Sequence, residues 1–360
     1  MELLRTINSD KRYYLDENTI ENTASFLQTM RVFNDAKIDL YNALYDQKYL
    51  ASGPLIDHAY PVFLKEKYKT NDYYNAAIYT AASGSISSQK ELKKYYSTTI
   101  TADLKTRDEK IQMIQEALDK KKAVKNSIRI YRKDGRWITP YPRCQLKVKG
   151  LTIVLFNKTI VKLDEYERSV EADIRKLKTR LALVTEARKR KEKKLENIKN
   201  LPPERIVFGG KKLYSEKDTV GITKYAEDNK TSQKALKEWK QDFFEKRHQS
   251  MALPGRHTSK YGNFLCKYDG KDLSVTCIDG TTTVFHDFKL PRYNEAFQNN
   301  FTCKPEDRQS LCYNFTVKRD RKNRQYIIVS VTMKLQAYEN SYYGNGAISM
   351  DINYDHLEVT

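Results

Sequence analysis

Apolar residues recur along this chain with two different periods, and the period changes mark its elements. Over residues 20 to 50, Phe26, Met30, Phe33, Leu40 and Leu44 fall mostly three and four positions apart. That spacing predicts a helix, which Gly53-Pro54 ends. Residues 60 to 126 continue as helix, with Ile111, Ile114 and Leu118 on one face. Asp119 is followed there by Lys120-Lys121-Lys122, which suits the negative end of a helix dipole. The period then drops to two. Ser127-Ile128-Arg129-Ile130-Tyr131-Arg132, a turn at Asp134-Gly135, and Arg136 to Thr139 predict a hairpin. Gln145 to Phe156 extends it as strand, turning at Lys149-Gly150.

Residues 166 to 200 carry the clearest helical signal. Val170, Ile174, Leu177, Leu181 and Val184 alternate steps of four and three, an a/d seam. The next two seam positions are Arg188 and Lys191, after which the seam resumes at Leu195 and Ile198. Leu201-Pro202-Pro203 stops the helix. Residues 205 to 214 predict a glycine-containing strand or tight turn. Residues 232 to 247 predict a short helix with Leu236, Trp239 and Phe243 on its core face. The rest is β-patterned. Asn263–Tyr268, Leu273–Ile278 and Thr282–Phe288 form a meander joined by two Asp-Gly turns. Leu311–Val317 and Gln325–Met333 flank a basic turn. Gly346 to Val359 reads strand, turn, strand, and the chain stops at Thr360 inside an unfinished strand, which predicts a truncated frame or a fragment. No internal repeat of 20 to 50 residues is present.

Charge adds a partner to this outline. The chain has 360 residues, with 65 Lys and Arg against 46 Asp and Glu, a net +19. Such an excess calls for a polyanionic partner, nucleic acid first. The longest apolar run, Leu151 to Phe156, is far below the roughly 20 residues of a membrane span. Met1-Glu2-Leu3-Leu4-Arg5 lacks a signal-peptide stretch. The five cysteines are odd in number and contain no C-x-x-C pair, which fits a reducing cytoplasm. The five histidines show no metal-ligand spacing.

Several stretches are candidates for chemistry. Arg188, Lys189, Arg190, Lys191, Lys193 and Lys194 lie on the seam helix, whose twelve cations face only six carboxylates between residues 166 and 200. They suit a phosphate backbone, and Arg188 and Lys191 interrupt an apolar stripe at a desolvation cost. The bland alternative is a solvated helix face. Lys318, Arg319, Arg321, Lys322 and Arg324, opposed only by Asp320, form a basic hairpin tip. Lys211 and Lys212 follow Gly209-Gly210 without the spacing of a Walker motif; that segment is either a close approach to phosphates or a plain turn. Asp351 sits among Ala347, Ile348, Met350 and Ile352, and a carboxylate in an apolar strand is costly unless paired or bound to a cation. A strand-end carboxylate is the alternative.

The stretch Ala347-Ile348-Ser349-Met350-Asp351-Ile352-Asn353-Tyr354-Asp355-His356-Leu357 resembles the first RuvC motif of the TnpB-like (OrfB) proteins. These are transposon-encoded RNA-guided DNA endonucleases related to compact type V CRISPR effectors. Leu27 to Ala36 resembles the family's first recognition-lobe helix. Phe208-Gly209-Gly210-Lys211-Lys212-Leu213 and Gly262-Asn263 resemble its longer members. The resemblance implies a multidomain α+β fold. Residues 1–20 would be an N-terminal strand of the wedge domain and 21–126 a helical recognition lobe. A β-hairpin insert would follow at 127–163, then a basic coiled-coil-like helix at 164–200. A β-rich, barrel-like wedge domain at 201–345 would lead into the start of an RNase-H-like RuvC domain at 346–360. It further implies a guide RNA and a target DNA as partners, with Asp351 as first catalytic carboxylate and Mg²⁺ ligand. On this resemblance the family's remaining carboxylates and four-cysteine zinc knuckle would fall beyond Thr360, so cleavage by this chain alone is not expected. Two other readings stay open: a nuclease-dead RNA-guided binder or repressor, and a basic coiled-coil scaffold with no nucleic-acid role. Oligomeric state is left open.

Overall fold

A computed structural model describes residues 2–52, 59–223, 229–336, 350–352 and 357–359. In chain order the elements are β1 (Glu2–Asn8), β2 (Tyr13–Tyr14), α1 (Thr23–Tyr45), α2 (Tyr60–Tyr68), α3 (Asp72–Asp134), β3 (Lys147–Lys149), β4 (Thr152–Val154), β5 (Ile160–Lys162) and α4 (Leu163–Asn200). Then come α5 (Lys211–Thr223), α6 (Asn229–Arg247), β6 (Ser250–Leu253), β7 (Cys266–Tyr268), β8 (Leu273–Thr276), β9 (Thr282–Phe285), α7 (Asn294–Thr302), β10 (Cys312–Arg319), β11 (Gln325–Gln336), β12 (Met350–Ile352) and β13 (Leu357–Val359). They group into two units, residues 1–86 with 205–360, and residues 87–204. The helices α1 and α2 lie in the first unit.

In the first unit an antiparallel sheet runs β1-β11-β10-β6, with β2 also on β11. The long central strand alternates as a half-buried strand should: Ile327, Val329, Val331 and Met333 are fully buried. Register sets Val329 against Phe315 and Val331 against both Ile7 and Tyr313. The inner face receives α1, whose Phe26 ring lies 5.0 Å from Phe315 and 5.2 Å from Phe285. A second antiparallel sheet, β7-β8-β9, turns at Gly270 and Gly280, whose φ values of 105° and 84° only glycine adopts readily. Buried Asn263 ties the two sheets together. Its amide donates to the Leu253 and Leu311 carbonyls (3.0 and 3.1 Å), and its Oδ1 accepts from the Leu265 and Cys266 N–H groups (2.9 and 3.1 Å). The described strands thus form small antiparallel sheets with helices against them, a mixed α and β fold.

The second unit is an antiparallel helical hairpin of α3, from Ser87 onward, and α4, with the β3-β4-β5 sheet between them in sequence; α3 up to Ile86 belongs to the first unit. Leu118, Val124 and Ile128 of α3 pack with Val170 and Ile174 of α4 and with Ile153 of β4. The ion pairs between the helices change sign along the hairpin. Near the insert, Lys121, Lys125 and Arg132 of α3 meet Asp173, Glu171 and Glu167 of α4 at 2.7, 2.6 and 2.8 Å. Further along, Asp108 and Asp103 of α3 meet Arg188 and Lys191 of α4. A slipped or parallel alignment would set like charge against like, so the pattern selects one register.

Two local expectations fail for identifiable reasons. Residues 127–132, predicted as strand, lie in the last turns of α3. Ile128 sits four residues beyond Val124 and both are buried, so the same residues that alternate as a strand also satisfy the helical period. Gly135, predicted as a hairpin turn, is the left-handed residue ending that helix: its φ is 66° and its N–H donates to the Tyr131 carbonyl at 2.9 Å. Residues 205–214 hold the tight turn but no strand. Gly209 and Gly210 have φ near 98° and 99°, and Lys211 opens α5.

Candidate nucleic-acid interface

On α4 the six cations singled out from the sequence separate into two groups. Arg188 and Lys191 face inward along the hairpin. The Arg188 guanidinium bonds Asp108 and, at 2.8 Å, Glu192. The Lys191 ammonium lies 3.1 Å from Asp103 and, with Arg107, holds that carboxyl below its usual range. The seam break read as a sign of polynucleotide contact is thus neutralised inside the protein. Arg190 is exposed and reaches Glu186 at 3.3 Å, one turn back. Lys189, Lys193 and Lys194 are exposed and have no ion-pair partner among the described residues. Lys189 and Lys193, like Arg190 and Lys194, lie four positions apart, so the cations run in two rows along one side of the helix.

The basic hairpin tip divides in the same way. Asp320 accepts from the Lys322 and Arg324 N–H groups at 2.8 and 2.9 Å, which folds the turn. Arg319 reaches back to α6, where one guanidinium nitrogen donates to both oxygens of Glu245 at 2.8 and 2.7 Å. Arg324 lies 4.2 Å over the Tyr14 ring and pairs with Asp320 at 3.2 Å. Those two arginines hold the hairpin to its own unit. Lys318, Arg321 and Lys322 remain exposed with no ion-pair partner among the described residues.

Beside this tip lies a cleft of about 750 Å³, lined by Leu27, Met30 and Arg31 of α1, Phe244 of α6, and Val317 and Lys318 of β10. Arg31 sits 5.6 Å over the Phe244 ring. The imidazole of His248, one turn beyond Phe244, lies 2.9 Å from Asp35 and 2.7 Å from the Phe244 carbonyl, which ties α6 to α1. The sequence reading missed Arg31 and Phe244, because the residues that meet here come from segments more than 200 positions apart.

Lys211 and Lys212 are exposed in the first turn of α5. Trp239, expected in the core, is half-buried: its indole N–H donates to the Leu213 carbonyl at 2.7 Å and its ring stacks on Phe243 at 5.3 Å, joining α6 to α5. Asp351 lies in the middle of β12, opposite Glu358 of β13. Asp355 and the stretch Ala347 to Ser349 lie outside the described residues. None of the five cysteines is in a disulfide. Among the described residues, no helix is long and apolar enough to cross a membrane. No family model, no curated protein and no solved structure matches the chain.

Proposed function

We propose that the chain is a nucleic-acid-binding protein of the TnpB-like, RNA-guided type, the N-terminal part of a magnesium-dependent DNA endonuclease. The observation that carries the nucleic-acid part is the division of the cations. Once those spent on internal pairs are set aside, Lys189, Lys193 and Lys194 in one unit and Lys318, Arg321 and Lys322 in the other stand exposed and unpaired among the described residues. In this reading they meet the phosphates of a guide RNA, base pairing reads the target DNA, and phosphate contacts position without reading sequence.

The RNA-guided part rests on the motif around Asp351. A two-metal site needs carboxylates from several strands. Among the described residues no group of three or more His, Cys, Asp or Glu side chains is placed to hold a metal ion. The donors among the described residues do not by themselves make up a magnesium site.

A coiled-coil scaffold is the second reading, favoured by the internal pairing of Arg188 and Lys191. Expression with the flanking locus, purification at physiological salt and sequencing of bound RNA test the first. A discrete copurifying RNA is expected, and its absence removes the guide-holding role. Filter binding across a salt series separates the two readings. Six phosphate contacts lose roughly a thousandfold in affinity between 50 and 200 mM salt, whereas a scaffold gives a flat line.

A further inference from the structure

The longest stretch of the chain without a carboxylate is the insert between α3 and α4. From Gly135 to Leu163 there is no Asp or Glu, and there are six cations, Arg136, Arg143, Lys147, Lys149, Lys158 and Lys162. None of the six has an ion-pair partner among the described residues. Arg132, just before the stretch, pairs with Asp164 and Glu167 just after it. The bare charge therefore begins and ends with the insert.

Strand register assigns these side chains to faces. Lys147 lies opposite Val154 and Val154 opposite Ile160; Lys149 lies opposite Thr152 and Thr152 opposite Lys162. Lys147, Lys149, Thr152, Val154, Ile160 and Lys162 therefore share one face of the sheet. Val148, Ile153 and Val161 take the other, and pack with Ile128 and Leu163, Ile153 being fully buried. The first face is the outward one. An outward face is ordinarily polar throughout. Here Ile160 is 65% exposed, and Phe156, in the adjoining β4–β5 turn, is 78% exposed. An open aromatic ring and aliphatic centre, rimmed by lysines and free of carboxylates, fits a polyanion that also offers flat apolar faces. Single-stranded nucleic acid has both; a duplex keeps its base faces stacked inside.

We propose that the outward face of the β3-β4-β5 sheet is a contact platform for single-stranded nucleic acid, with Phe156 stacking on an unpaired base and Lys147, Lys149, Lys158 and Lys162 meeting its phosphates. The proposal rests on the nucleic-acid reading above and narrows it to one surface and one strandedness.

The test uses the full chain with a labelled single-stranded oligonucleotide, the matching duplex, and vesicles of phosphatidylcholine with phosphatidylserine. Phe156→Ala is expected to weaken single-strand binding roughly 5- to 140-fold, as loss of one stacked base does. Duplex affinity and thermal midpoint should not change, and Phe156→Tyr should hold wild-type affinity. Replacing the four lysines by Gln is expected to flatten the single-strand salt slope by about 2.8. A Phe156→Ala chain that binds the single strand like wild type overturns the proposal. So does a Phe156→Ala loss confined to the vesicles, which would assign the face to an anionic lipid surface. If discrete RNA still copurifies in either case, only this proposal fails. A wild-type chain that binds neither nucleic acid overturns the underlying reading as well.

Discussion

The two units are held together by different physics. In the sheet unit, wholly buried side chains from distant parts of the sequence interlock, with Phe26, Phe285 and Phe315 in mutual ring contact. The hairpin unit has a thin seam of aliphatic residues and a ladder of exposed ion pairs. Burial supplies most of the stability of the first; each exposed ion pair adds little, but the ladder dictates which alignment of two helices is allowed. A run of Lys and Arg therefore cannot be equated with a binding face. In α4 the run divides into cations spent on internal pairs and exposed cations without an ion-pair partner among the described residues, sorted by which side of the helix each occupies.

The largest expected effect strikes the sheet unit. Asn263→Ala removes four hydrogen bonds in a dry interior and leaves backbone groups of Leu253, Leu265, Cys266 and Leu311 unsatisfied. A loss of about 3–4 kcal/mol in denaturant unfolding is expected. A change within error would mean that Asn263 does not join the sheets. An intermediate effect should appear in the hairpin. Asp108→Arg sets like charge against Arg188, and the thermal midpoint should fall by less than in Asn263→Ala. Adding Arg188→Asp should restore part of it, since the pair with residue 108 is rebuilt with its signs exchanged while the Arg188–Glu192 pair is lost. Failure of the exchange to rescue would break the register argument.

The smallest effect is a pH dependence at the edge of the sheet unit. The His286 ring faces the Asp272 carboxylate with Nδ1 at 3.0 Å and the Glu21 carboxylate with Nε2 at 3.1 Å, and donates to both when protonated. The Asp272 contact, joined by the field of Glu21, raises the imidazole above its usual 6.5. A raised folded-state value means that the imidazolium stabilises the fold fully below pH 6.5 and ceases to do so as pH climbs through the raised value. Asp272, held low by the Asp287 N–H and His286 bonds that outweigh its burial, loses its own contribution only at the acid end. Melting midpoints between pH 6 and 9 should slope downward in the wild type and flatten in His286→Gln. Equal slopes would remove the clasp.

Much of the architecture was legible in the sequence. The helix over 20 to 50, the seam helix of α4, both Asp-Gly turns of the meander and the β10–β11 hairpin occur where the periods place them. The misreadings share one cause. At Ser127–Gly135 a short stretch satisfied both periods, and an Asp-Gly pair that ends a helix resembles one that turns a hairpin. The interface was less legible. Nothing local distinguishes Arg188, bonded to a carboxylate 80 positions away, from Lys189 beside it. Nor does any local pattern bring Arg31 to Phe244. The acid-free insert is present in the composition of residues 135 to 163 but went unread, because its cations are spread singly and form no run.

The pairing of β1 with β11 has a consequence for how the protein comes into being. Thr6 and Thr332, bonded across that pair, are 326 positions apart. At ordinary elongation rates, roughly 15–65 s separate the synthesis of the two strands. Through that interval the first strand leaves the ribosome without its mate, while α3 and α4, contiguous but for a brief insert, can already zip. The nascent chain is thus committed to finishing its middle before its beginning, and must keep a naked edge at its head from finding the wrong neighbour.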